Sequence, residues 1–153
     1  MRRSGEGGFS LIELAVVFIV IAILILIAIP VFLGVRSRSE DTAAKESAVL
    51  AVRVALGIGE TQTFGGVTTA SLQAAEPSLT FVDGTQPSTG PRVVSQLIPD
   101  AGSGDTTFIA AVRSNSGTCF MARQLVTGSD FAQATVANCR ASDHGSMTFG
   151  PTW

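Results

Sequence analysis

The sequence predicts an α+β protein: a long N-terminal helix followed by a small antiparallel sheet. Three observations carry that expectation. Residues 14–29 are an unbroken apolar run of 13 Leu, Ile, Val or Phe residues and 3 alanines. Residues 36–56 keep helical spacing but turn amphipathic. From residue 79 onward, short β-rich stretches alternate with Gly, Pro, Ser and Asp turns.

The chain of 153 residues has the length of a single domain. Its formal charge is -2, and this mild acidity speaks against nucleic-acid binding, which needs a clustered basic face to neutralise phosphates. The hydrophobic excess sits before Arg36, and the remainder has the Gly-, Ser- and Thr-rich composition of a soluble domain. The expected division is a leader at 1–8, a transmembrane helix at 9–35, its amphipathic continuation at 36–57, and a β-sheet head at 58–153.

Met1 is the only apolar residue of the first eight. Arg2-Arg3 lacks the apolar and basic residues that follow the pair in a twin-arginine signal. The run at 14–29 favours membrane insertion by about 4–8 kcal/mol, which a single acid near one end does not overturn. Pro30 interrupts it, yet Val31, Phe32, Leu33 and Val35 continue it. The stretch of about 20 residues is therefore long enough to span a bilayer. A secretory signal peptide would place its small-residue cleavage site after a shorter apolar core. Here the small residue precedes the core. Arg2 and Arg3 on one side balance Arg36 and Arg38 on the other, so charge alone does not orient the helix.

Beyond the run, Ala43, Ser47, Leu50, Ala51, Val54 and Ile58 form one helical face. Asp41 and Lys45 have the spacing of an acid-before-base ion pair, and Gly57 and Gly59 supply a stop signal. A short helix is expected at 70–75, with strands at 79–82, 93–98, 106–113 and 118–126 and a last short one at 147–149. Asp83-Gly84 is a turn, and residues 114–117 suit a hairpin.

Gly8-Phe9-Ser10-Leu11-Ile12-Glu13, directly before the run, resembles the processing site of type IV prepilins and of the related type II secretion pseudopilins. The resemblance is specific over about residues 8–30 and architectural elsewhere. It implies cleavage between Gly8 and Phe9 by a prepilin peptidase, methylation of the new Phe9 amine, and a leader that stays cytoplasmic. Losing Arg2, Arg3 and Glu6 from the 10 basic and 12 acidic side chains would leave 8 and 11, a balance of -3. The resemblance also gives Glu13 a role: pairing with the N-terminal amine of its own or a neighbouring subunit and setting the stagger of assembly. Phe9 and Glu13 lie one turn apart and so share a face. An acid at the edge of an apolar helix is costly unless paired, and near a helix N-terminus it is favoured by the macrodipole.

Pro30 removes one helix hydrogen bond and loosens the preceding turn. Many of these proteins also carry a glycine inside the run, but this chain has none between Glu13 and Gly34. Cys119 and Cys139 are an even pair beyond the run, which in an exported domain suggests a disulfide; pilins often staple this region so. Free thiols or a metal site are the alternatives, although no further Cys or His sits at zinc spacing.

Residues 100–105, with two aspartates, resemble a calcium loop too poor in ligands and are better taken as a turn. His144 reads as a solvated loop histidine. Gly57-Ile58-Gly59 lacks the preceding strand of a nucleotide fold. No metal, cofactor or nucleophile–base arrangement is expected.

The expected function is structural. The chain is taken as the major subunit of a type IV pilus, self-associating into a helical homopolymer. Its expected partners are the peptidase and the inner-membrane assembly machinery. It would be a single-pass precursor in the inner membrane and a filament subunit on the cell surface. A type II secretion pseudopilin or a minor or competence pilin shares the same N-terminal motif. A membrane-anchored enzyme would need a catalytic constellation in residues 57–153, and none is visible.

Overall fold

The computed structural model describes residues 9–61, 66–99 and 106–153. The leader with Gly8, and the aspartate loop at 100–105, lie outside the described residues. The elements are helix α1 (Leu11–Thr61), helix α2 (Thr69–Ala75) and strands β1 (Thr80–Asp83), β2 (Val93–Leu97), β3 (Thr106–Arg113), β4 (Thr118–Leu125) and β5 (Gly128–Thr135). A 3-10 helix follows at Ala141–Ser146. The class is α+β, as expected. The chain divides into two compact units, one through Arg36 and the other Ser37–Trp153, and α1 contributes to both.

Within the second unit, α1 buries Ala44, Ser47, Ala48, Ala51, Val52 and Ala55. This stripe is rotated from the expected face. Ala43 is exposed, whereas Leu50, Val54 and Ile58 flank the core half-buried. The smallest side chains take the centre because Phe81, Phe108 and Phe120 of the sheet fill the space opposite them. The helix also overruns its expected end, passing Gly57 and Gly59 to Thr61. Each glycine costs about 1 kcal/mol in a helix, and Ile58, packed against the core, offsets part of that. Asp41 and Lys45 do not pair with each other. Asp41 accepts a hydrogen bond from Ser116 in the β3–β4 turn, and Lys45 lies over aromatic rings.

The sheet runs β1-β2-β3-β4-β5. It is antiparallel except for β1 and β2, which pair in parallel, Thr80 opposite Val93 and Asp83 opposite Gln96. The sheet is thus mostly antiparallel, as expected, with this one parallel pair at its edge. The parallel return is made by the loop between β1 and β2, pinned by buried Ser88. The Ser88 hydroxyl donates to Val93 O and accepts the Arg113 N–H, and the Ser88 N–H donates to Cys139 O. Gly84 opens this loop because a Cβ there would come within 2.9 Å of Gln96 O.

The β3–β4 hairpin forms where expected and closes on Gly117 at φ 94°. The next hairpin was not expected. Leu125 pairs with Gly128 across Val126-Thr127, and β5 then aligns with β4 out to Thr135 opposite Thr118. Conversely, 147–149 is not a strand; only Gly150 bridges to Phe131. The sheet is covered on both faces. One face packs on α1. On the other, Ile109, Ala111, Met121 and Ala132 lie beneath Cys139, Ala141, Met147 and Phe149.

Candidate functional site

The N-terminal site is built by helix initiation. Helix α1 starts at Leu11, with Ser10 in the capping position. Ser10 O accepts the Leu14 N–H at 3.2 Å, and Ser10 Oγ accepts the Ile12 N–H at 3.4 Å. Glu13 reaches back, its Oε2 accepting the Ser10 N–H at 2.9 Å. This is half of a capping box: the third helical residue satisfies an N–H that the helix leaves without a partner. The carboxylate also sits at the positive end of the helix dipole. The sequence carries the signal for it, Ser-x-x-Glu directly before an apolar run, yet Ser10 went unrecognised as a functional residue.

Phe9, which precedes the first helical residue, lines one shallow groove with Ile12, Glu13, Val16 and Val17. The cleavage site itself, through Gly8, lies outside the described residues. Pro30 sits inside α1, which continues through it.

Over residues 14–32, helix α1 exposes apolar side chains on every side. With the exception of Val126, every exposed large apolar side chain among the described residues falls between Phe9 and Val35. Phe9 is 84 % exposed and Phe18 63 %. A helix apolar all round requires an apolar environment of other helices or of lipid, and this one has the length and composition to cross a membrane.

In the second unit, Cys119 and Cys139 form a disulfide with Cα atoms 5.4 Å apart, both fully buried. It ties the second residue of β4 to the segment that covers the outer face. Hydrogen bonds extend the tie: Ala141 N–H donates to Ser95 Oγ at 3.1 Å, Ser142 N–H to Gly84 O at 3.0 Å, and the Arg113 guanidinium to Ala137 O at 2.7 Å. His144 is half-buried, with Nδ1 2.9 Å from Ala141 O. Among the described residues no group of three His, Cys, Asp or Glu could hold a metal ion.

Residues 3–29 match the family model of the prokaryotic N-terminal methylation motif. No curated protein and no solved structure matches the chain.

Proposed function

We propose that this chain, whose residues 3–29 carry the type IV prepilin signature, is the major structural subunit of a type IV pilus. The signature is shared by type IV pilins and pseudopilins, which are filament-type subunits and not enzymes. In this reading the peptidase cuts between Gly8 and Phe9, and the Phe9 amine is methylated. The apolar helix anchors the precursor in the inner membrane until subunits are drawn into a surface filament.

The observation that carries the reading is the pairing of an all-round apolar helix with one carboxylate at its start. Cleavage would create a cationic amine next to Ser10, since an α-amine titrates near 8. Away from water, both that amine and Glu13 need a partner. Glu13 uses Oε2 for the Ser10 N–H, and its second oxygen can meet the amine of the same or a neighbouring subunit. The capping box would thus hold the carboxylate ready before assembly. Pro30 then marks a turn with a missing hydrogen bond, where the helix can adjust as subunits pack.

Glu13→Ala tests this assignment. Cleavage and membrane insertion should persist while filament yield falls by at least about tenfold, an effect of about 1.4 kcal/mol or more per contact. Normal filament yield from the processed variant would contradict the role given to Glu13.

A further inference from the structure

Residues 147–153 pass around the β5 edge of the sheet, from one face to the other. On the face away from α1, Phe149 packs against the buried cluster that includes Met121 and Ala132, and the Arg123 guanidinium lies 4.3 Å from its ring centroid. At the edge, Phe131 N–H donates to Gly150 O at 2.8 Å and Gly150 N–H to Phe131 O at 2.9 Å. On the α1 face, the Trp153 ring meets Phe120 edge-on at 5.4 Å and Phe131 at 4.9 Å. Lys45 Nζ, from α1, stands 5.1 Å from the Phe120 centroid and 5.7 Å from that of Trp153.

We propose that residues 147–153 form a strap that latches α1 to the sheet edge through Trp153 and opens as a unit of its own. Three features separate it from the sheet it crosses. Its backbone is held to β5 by a single isolated bridge, whereas β5 pairs with β4 along its whole length. The disulfide fixes the chain only as far as Cys139, so the strap can release without breaking a covalent bond. Trp153 is half-buried at the margin of the core, not inside it. Segments with few buried contacts and isolated hydrogen bonds open below the global unfolding free energy.

Opening would uncover the Phe120 and Phe131 rings and the outward backbone groups of β5. The hydrogen bond from Ser116 in the β3–β4 turn to Asp41 of α1 would stay in place. The strap is thus a conformational latch on the α1 segment around Lys45. It does not depend on the filament reading.

Amide hydrogen exchange on the full chain in detergent micelles tests it. In the unaltered protein the Phe131 amide should exchange about 100-fold faster than the β3–β4 ladder amides, with a shallower dependence on denaturant. Trp153→Ala should speed Phe131 exchange about tenfold further and leave the ladder unchanged. Trp153→Phe, which keeps a ring, should stay within about threefold of the parent. Exchange of Phe131 only together with the β3–β4 ladder would overturn the proposal. So would a Trp153→Ala chain whose whole head unfolds, because the strap would then be part of the core.

Discussion

Residues 14–29 and residues 44–55 belong to one continuous helix, and both present apolar side chains, yet they are built on opposite principles. The first stretch carries Leu, Ile, Val and Phe on every side and leaves them exposed. The second carries a stripe of alanines on one side and buries it completely. Bulk marks the surface that meets lipid or other chains; smallness marks the surface the protein keeps for itself. Total hydrophobicity would rank the two the wrong way round for burial within the subunit. Periodicity separates them, because a helix that packs on its own sheet needs a stripe, and one that packs in a membrane or bundle needs none.

Paired substitutions sharpen that contrast. Phe108 is fully buried over the alanine stripe, so Phe108→Ala should lower the head's unfolding free energy by about 3–5 kcal/mol. Phe18→Ala, on the exposed stretch, should leave it unchanged. Denaturant dependence of exchange at the β3–β4 ladder amides reads both, because Trp153 fluorescence would also report release of the strap. Equal losses from the two would erase the distinction.

Removing the disulfide with Cys119→Ala and Cys139→Ala should cost about 3 kcal/mol for a separation of 20 residues. The loss should appear in the same measurement as faster ladder exchange, matched by the parent chain under reductant. Next in size, Ala48→Leu should cost about 1–3 kcal/mol by overpacking the seam, whereas Ala22→Leu should leave the head untouched. A silent Ala48→Leu would mean that the seam has room and that small size there is incidental.

The smallest effect concerns pH. Asp83 ends β1, and its Oδ1 accepts the Thr85 N–H at 3.0 Å and the Thr85 hydroxyl at 2.7 Å. The backbone bond first, then the hydroxyl bond, hold its pKa below the ordinary carboxylate value. A depressed folded pKa stabilises the fold above the unfolded pKa, near 3.9, and that contribution is lost as pH falls through the folded value. An NMR titration should place the Asp83 midpoint below that of a free aspartate. Thr85→Val should move it part of the way back, because the backbone bond remains.

Much of this was legible in the residues. Apolar density announced the helix, and β-branched runs bounded by turns announced the first four strands. Strand β5 was not legible: Gly-Ser-Asp-Phe-Ala-Gln-Ala-Thr holds one β-branched and one aromatic residue. The Val126-Thr127 turn also lacks the Asn-Gly or Asp-Gly signal of a two-residue hairpin. It is a strand because β4 offers it an edge and Ala132 and Phe131 each meet an apolar cluster. The parallel β1–β2 pair was hidden for a related reason, since nothing local to residues 80–83 reports which neighbour they take. Composition points to the tertiary partner only weakly. The face of α1 was misplaced by one residue because Ala43 and Ala44 are indistinguishable until the sheet's phenylalanines choose between them. At the N-terminus Glu13 stood out as an acid beside an apolar run. Ser10, its partner, is an ordinary small polar residue whose role lies in a backbone N–H.

The central claim is that this chain is a processed filament subunit, and mass analysis of material sheared from the surface of the native cells tests it most directly. The account predicts an abundant species that begins at methylated Phe9, with Cys119 linked to Cys139. The same processed species confined to the cell envelope would point instead to a pseudopilin. A chain still beginning at Met1 would contradict the account.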